Sequence, residues 1–377
     1  MKCIHCGTDS KLRERSEGRC PQCKHRFAFE PTKDSNQVTD GQLKRAVERV
    51  SDEARVLFTE RQLWYEFNRR WMKPGFCRSP YGALPFTGLG SGALAAVAVL
   101  KVALFPVAAV GMGAGLLLGA YLSHRENRRA PLPPRPPRVS LDAFRQRYLK
   151  VWTEVHGPVA GLLPPREAAL ESAPKTVAPD VAAFSFDRAL VTDRWETAAM
   201  LVANRFHFEH NCAVLSRDGF PGAIGDTVRA MLRRNPHLTV FALHDASPGG
   251  CLLPLTLREP EWFPEPTVRV VDLGLRRDAV LRMRIPALPG GRNAALPPRL
   301  GELLSPEDVA WLAEGHTAEL AALRPAQVLR AAYQGILAAG HPGDVASSGG
   351  DTAAGGGVIW VGDLRGDAGA GSVDGFG

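Results

Sequence analysis

Two cysteine pairs, Cys3-Ile4-His5-Cys6 and Cys20-Pro21-Gln22-Cys23, stand thirteen residues apart at the start of the chain. A CxxC turn presents two sulfurs on one side, and two such turns supply four soft donors with tetrahedral reach, the pattern of a structural zinc site. Four protein sulfurs leave no open coordination position, so a zinc held by Cys3, Cys6, Cys20 and Cys23 is expected to fold a small module over residues 1–30 rather than to catalyse. His5 and His25 lie inside the two knuckles as alternate ligands, although four cysteines already suffice. Two disulfides are the competing reading, disfavoured where the surroundings keep thiols reduced. Cys77, Cys212 and Cys251 remain and read as buried or incidental thiols.

A second set of candidates lies among acids and one tyrosine. Asp193 and Asp245 follow apolar runs that read as strands, at the tips where such a sheet carries its site. Short carboxylates in such places cap helices, which is the plain reading of both. Tyr65 stands four residues after Arg61 in a helical segment, and half-buried packing on an amphipathic helix is its plain role. His207, His210 and His244 are scattered and read as ordinary loop residues.

The elements that must position these groups follow from periodicity. Beyond residue 183 strands are expected at 189–191, 212–215, 238–243 and 268–271, alternating with helices at 196–204 and 224–234. Such alternation predicts an α/β domain, here residues 141–335, with a mainly parallel sheet covered on both faces and its site beyond the carboxyl ends of the strands. Upstream, residues 39–75 predict two helices joined by a short turn, a winged-helix-like beginning, the first opened by Thr39-Asp40.

The 377 residues leave room for two or three domains. With 45% hydrophobic and 23% charged residues, wholesale disorder and a polytopic transporter are excluded. The net charge of +7 is unevenly spread: residues 1–82 hold 17 Lys/Arg against 11 Asp/Glu, residues 123–150 hold 8 against 2, and residues 151–377 hold 20 against 26. Between the basic blocks, residues 83–122 carry one charge, Lys101, in forty residues. A spanning helix needs about 20 apolar residues, so this stretch predicts a transmembrane helical hairpin turning near Lys101 and Pro106. Basic flanks on both sides then predict an inner (cytoplasmic) membrane location with both termini cytosolic. Residues 123–140 form a basic, proline-rich linker, extended in character. Residues 341–377, with twelve glycines, predict a disordered tail, in which Val358–Val361 is either a docking strand for a protein partner or a chance apolar island.

Two resemblances add to this reading. Residues 1–30, and above all Cys20-Pro21-Gln22-Cys23-Lys24, resemble the zinc ribbons, in which two knuckles are carried on hairpins. The string Thr59-Glu60-Arg61-Gln62-Leu63-Trp64-Tyr65 resembles the motif around the DNA-cleaving tyrosine of the topoisomerase VI A subunit and its meiotic relatives. In the same order, Asp218-Gly219-Phe220-Pro221, the stretch from Leu243 through Asp245, Ser247 and Pro248 to Gly250, Val271-Asp272-Leu273-Gly274-Leu275, Leu304–Asp308 and Ala318-Glu319-Leu320 look like pieces of that family's Toprim domain. The resemblance implies Tyr65 as nucleophile with Arg61 as its partner, and a Mg²⁺ site in which Asp193 stands where the family has glutamate, Asp245 is the first aspartate and Ser247 replaces the second. The acidic motif is thus degenerate.

Three functional classes stay open. One is a membrane-anchored, cytosol-facing zinc-ribbon protein whose degenerate Toprim-like domain is a nucleic-acid-associated or regulatory module without strong catalysis. Another is a metal-dependent DNA-cleaving transesterase or nuclease using Tyr65, Arg61, Asp193 and Asp245. The third is a membrane scaffold that binds a nucleotide or protein at the strand tips. The acidic balance beyond residue 150 argues against a domain that grips duplex DNA, which needs a basic footprint.

Overall fold

The computed structural model describes residues 1–31, 34–72, 121, 136–172, 186–235, 238–263, 268–289 and 296–340. Two short hairpins open the chain, marked by antiparallel bridges Lys2 to Asp9 and Arg19 to Arg26. Each turns at a residue in the left-handed region, Gly7 (φ +76°) in one and Lys24 (φ +61°) in the other. Two helices follow, α1 (Asp40–Val50) and α2 (Glu60–Met72), packed on each other through Leu43, Ala46 and Val50 of α1 and Leu63 and Phe67 of α2, all buried. The Gln42 side chain accepts from the Thr39 amide (3.1 Å), which fixes the start of α1.

A long helix, α3 (residues 141–156), is opened by Ser140, whose hydroxyl accepts from the Ala143 amide at 3.2 Å, and closed at Gly157 (φ +83°). It lies against α2 through Phe67, Phe144 and Tyr148, with ring centroids 5.0–5.1 Å apart. The approach to it is pinned at Val139. Its amide donates to Asn68 Oδ1 (3.1 Å), and its carbonyl accepts from Trp64 Nε1 (2.8 Å) and Asn68 Nδ2 (3.2 Å).

The second half forms a parallel sheet of β1 (Arg188–Thr192), β2 (Cys212–Ser216), β3 (Thr239–Leu243) and β4 (Arg269–Asp272) in the order β2-β1-β3-β4. Parallel neighbours require crossover connections, supplied among others by α4 (Trp195–Ala203) between β1 and β2 and α5 (Gly225–Leu232) between β2 and β3. Side chains alternate between faces with the strand period of two. Leu190, Val214 and Phe241 join the core shared with α1, α2 and α4. Ala189, Val191, Ala213, Leu215, Val240 and Ala242 face Leu232, Leu253, Leu257 and Phe263 on the other side. The expected α/β class, with a parallel sheet covered on both faces, is therefore the one observed.

The registers bring three strand ends together. Thr192 lies opposite Leu243, and Ala242 opposite Asp272, so Asp193, His244, Asp245 and Asp272 share one edge of the sheet. A bridge between Ala246 and Ala318 (N–O distances 2.8 and 2.9 Å) sets Glu319 beside them.

The membrane expectation is corrected here. Among the described residues no helix is long and apolar enough to cross a membrane; Pro325–Gly340, for instance, runs 16 residues and buries only one face. An apolar run becomes a span only when one continuous helix of about 20 residues satisfies its backbone in lipid, and no such element supports the transmembrane hairpin, the membrane location or the cytosolic placing of both termini. Residues 83–122 themselves, Tyr121 apart, lie outside the described residues, as do Cys77, the linker up to residue 135 and the tail 341–377 with Val358–Val361.

One close approach tests the packing at the strand tips. The loop after β4 passes so near the ring of His244 that a Cβ on Gly274 would overlap it. His244 is fully buried and bonded on both sides, so it has nowhere to yield. Gly274→Ala is expected to cost about 2–3 kcal/mol of stability by overpacking, read as a fall in the urea midpoint. An unchanged midpoint would mean that this loop is not packed as described.

Candidate functional site

The four cysteines form a cluster that fits a zinc ion. All four sulfurs lie within 4.8 Å of one another, with Cys3 to Cys23 at 3.6 Å and Cys6 to Cys20 at 3.5 Å. Thiolates bound to zinc at about 2.3 Å in a tetrahedron stand about 3.8 Å apart, so the sulfurs are already near ligand spacing. The knuckle backbones hold this shape: Gly7 donates to the Cys3 carbonyl and Lys24 to the Cys20 carbonyl, both at 3.0 Å. Around the cluster only Cys3, Cys20 and Phe27 are buried together, with Met1 against them. So small an apolar core cannot hold a fold alone, which suits a metal that supplies folding free energy. The cluster is consistent with a zinc ribbon.

The second candidate site is built where α2 meets the strand tips. Arg61 lies one turn before Tyr65 on α2, and both reach Glu319. The Arg61 guanidinium donates to the two carboxylate oxygens at 2.9 and 3.0 Å, and the Tyr65 hydroxyl donates to Oε2 at 3.0 Å. Arg194, immediately after β1, donates through Nε to Asp245 Oδ2 (2.5 Å) and through a terminal nitrogen to Glu319 Oε1 (3.0 Å). Asp193 Oδ2 accepts from the Asp245 amide (3.1 Å), and Asp245 Oδ1 from the Leu320 amide (2.7 Å). The four residues singled out in the sequence, Tyr65, Arg61, Asp193 and Asp245, thus occupy one network, joined by Glu319 and Arg194. Neither aspartate caps the helix that follows it: Arg194 stands at the start of α4, and Ser247 caps Pro248–Cys251 with its hydroxyl accepting from the Gly250 amide (3.0 Å).

The electrostatics of this network follow from burial. Asp193, Asp245, Glu319 and Tyr65 are all less than a tenth exposed. Burial raises the Asp193 carboxyl, and burial together with the Asp193 charge pushes Asp245 up to about 7. Burial, rather than a shortage of counter-ions, is what favours a proton on the Asp193–Asp245 pair. Asp193 Oδ1, buried with no hydrogen-bond partner, can take it without breaking an existing bond. For Arg194, burial works against the charge but Asp245 and Glu319 outweigh it, holding the guanidinium above its ordinary value. Burial, and then the Glu319 carboxylate, lift the Tyr65 hydroxyl well above 10. A phenol in that state is a hydrogen-bond donor, whereas a nucleophile needs its proton made easier to lose.

A second buried chain lies beside it. His244 Nδ1 faces the Asp245 carbonyl (2.8 Å) and Nε2 faces Asp272 Oδ1 (3.0 Å). With an oxygen at each nitrogen the ring is an imidazolium donating both ways. Burial opposes that charge, but Asp272 more than offsets it, and His244 in turn holds Asp272 well below the usual carboxylate range. Arg276 pairs with Asp272 from the other side. His207 and His210 do not join His244, and Glu209 is exposed away from the cluster. Among the described residues the other two thiols, Cys212 and Cys251, are buried, and burial pushes Cys212 up to about 12.

Sequence reasoning did not anticipate the roles of Glu319, Arg194, Asp272 and Arg276. Glu319 sits 74 positions beyond Asp245, and only the bridge at Ala246 and Ala318 brings it in. Arg194 was visible as a residue after the first strand, but nothing in the local string shows where its guanidinium points.

No protein-family model, curated protein or solved structure matches this chain. The Toprim likeness therefore rests on the short motifs alone.

The raised carboxyl pair has a consequence for stability. Unfolded, Asp245 loses its proton near its ordinary value of 3.8, whereas folded it holds it to about 7. The folded state thus binds the extra proton, and this contribution falls as pH rises from about 4 to about 7. Asp272 acts oppositely, its contribution being lost only at acidic pH below that window. The stability of the native chain relative to Asp245→Asn should therefore decline by about 3 kcal/mol from pH 4 to pH 7, measured by urea unfolding. A difference that stays flat across that range would contradict a buried Asp245 that holds its proton.

Proposed function

We propose that the chain is a zinc-ribbon protein whose α/β domain is a degenerate Toprim-like unit, acting as a nucleic-acid-associated or regulatory module without strand cleavage. The observation that carries this reading is the Arg194 guanidinium between Asp245 and Glu319. A Toprim-type site needs its carboxylates free to share a divalent cation. Here a fixed organic cation ties one of them, Asp245, to Glu319, Arg61 occupies the free edge of Glu319, and Ser247 stands where a further acid would be required. The cavity beside the cluster, lined by residues including Arg61, Arg194, Thr197 and Met200, measures about 10 Å³, room for little more than a water.

The nucleic-acid part of the reading rests on the ribbon. Lys2, Lys11, Arg13, Arg19, Lys24 and Arg26 are exposed there. In the α/β domain, by contrast, Arg229, Arg276 and Arg277 are engaged with Asp226, Asp272 and Glu307, and Arg233 donates to the carbonyls of Glu261 and Trp262. These exposed charges favour the zinc module as the contact surface for phosphate.

The transesterase reading keeps one observation in its favour: Tyr65, Arg61 and the acids converge on a single cluster, and Asp193 Oδ1 lacks a partner. One experiment separates the two. The full chain is incubated with supercoiled plasmid in Mg²⁺ or Mn²⁺, and its binding to a labelled duplex is followed by anisotropy across a salt series. The expected outcome is no nicking, with binding that falls steeply with salt and weakens in the Lys11→Glu, Arg13→Glu variant. Metal-dependent nicking that disappears in Tyr65→Phe would establish the enzyme instead. Binding indifferent to salt and to the ribbon charges would remove the nucleic-acid role.

A further inference from the structure

Beside the cysteine cluster lies a second group of metal-ligating side chains, contributed by three separated parts of the chain. His5 sits in the first knuckle, His25 follows the second, and His156 ends α3. One ring nitrogen of each lies within 4.8 Å of the other two. The rings are crowded together, His5 on His25 at 3.5 Å between centroids and His156 at 5.4 Å from His25 and 5.7 Å from His5.

The hydrogen bonds say which atoms are available. His156 Nε2 faces Asp40 Oδ2 at 2.8 Å. Asp40 is fully buried and also accepts from the Ala28 amide (3.0 Å) and the Phe29 amide (2.9 Å), so it acts as an ionised acceptor and Nε2 carries the hydrogen. The other nitrogen, Nδ1, is then a lone pair, buried and without a partner; His25 Nε2 is buried and without a partner as well. Leaving two polar atoms desolvated and unpaired in one place is costly. A cation between them removes that cost. A carboxylate that orients a histidine by holding its far nitrogen is a recurrent support for metal ligands, and Asp40 stands in that position.

We propose that His5, His25 and His156 form a second metal site, distinct from the four cysteines, that takes a zinc ion through three neutral imidazoles and retains one open position. Imidazole donors without thiolate or carboxylate in direct contact suit a borderline divalent ion. Two ligands belong to the zinc module and the third to the body of the protein, so occupancy ties the module to α3. The same junction already holds Phe29 against Trp152 and Tyr148. The inference is independent of any nucleic-acid role.

The test is metal content and spectroscopy on the full, reduced chain. Protein equilibrated with zinc and freed of loosely held metal should contain two zinc ions per chain. His156→Gln, and separately the exposed His5→Ala, should each lose one. In the metal-free chain, successive Co²⁺ additions should first bring thiolate-to-cobalt charge transfer. A second equivalent should then add ligand-field absorption with no further charge transfer, and this second phase should be missing in both histidine variants. A chain that saturates at one metal, or a second metal that survives both substitutions, would overturn the site.

Discussion

A carboxylate taken out of water must be matched by charge and hydrogen bonds, or it keeps its proton and contributes nothing. Glu319 is the carboxylate on which this structure turns. It is 7% exposed and meets Arg61 and Tyr65 from α2 and Arg194 from the end of β1. Those partners lie more than a hundred residues from Glu319 in the sequence. The bridge from Ala246 to Ala318 delivers Glu319 to the strand tips, and α2 is fixed by Trp64 and Asn68 on Val139. Removing one partner would leave a buried charge uncompensated, which costs far more than the pair contributes when complete. The network therefore fixes how the N-terminal helices sit on the sheet.

The same network decides the chemistry. A divalent cation and a guanidinium satisfy carboxylates in different ways: the ion gathers several oxygens around one point and keeps open positions for substrate, whereas the guanidinium fixes two acceptors in a plane and offers none. With Arg194 between Asp245 and Glu319, the acids at the strand tips are used structurally, and Asp193 is left to share a proton with Asp245. Tyr65, its proton held toward Glu319, stays a donor. At the other end of the chain the sulfur cluster fits zinc.

Much of the fold could be read from local patterns, because these depend on residues near one another. The short continuous apolar runs around Leu190, Val214 and Phe241 read as strands buried on both faces, and CxxC spacing at Cys3 and Cys20 carries the ligand geometry. The candidate site was legible only as a set of residue types. Asp193 and Asp245 announce themselves by following strands, but their surroundings depend on a rotamer of Arg194 and on the bridge between Ala246 and Ala318, 72 residues apart. Nor does Asp40 show itself as more than a helix start, since Phe29 of the N-terminal segment and His156 at the end of α3 meet it only through tertiary packing. The apolar stretch misled for a related reason. Composition measures how much a segment would gain in lipid but says nothing of whether one helix carries it, and no described helix does.

The central claim is that Arg194 stands in for a divalent cation among the strand-tip acids. The most direct test is Mn²⁺ binding followed by electron paramagnetic resonance, comparing the native full chain, Arg194→Ala and the double variant Arg194→Ala, Asp245→Asn. The account predicts that the native chain leaves Mn²⁺ free at the strand tips, that Arg194→Ala acquires a bound ion, and that the double variant loses it again. A native chain that binds Mn²⁺, with that binding abolished by Asp245→Asn alone, would contradict it.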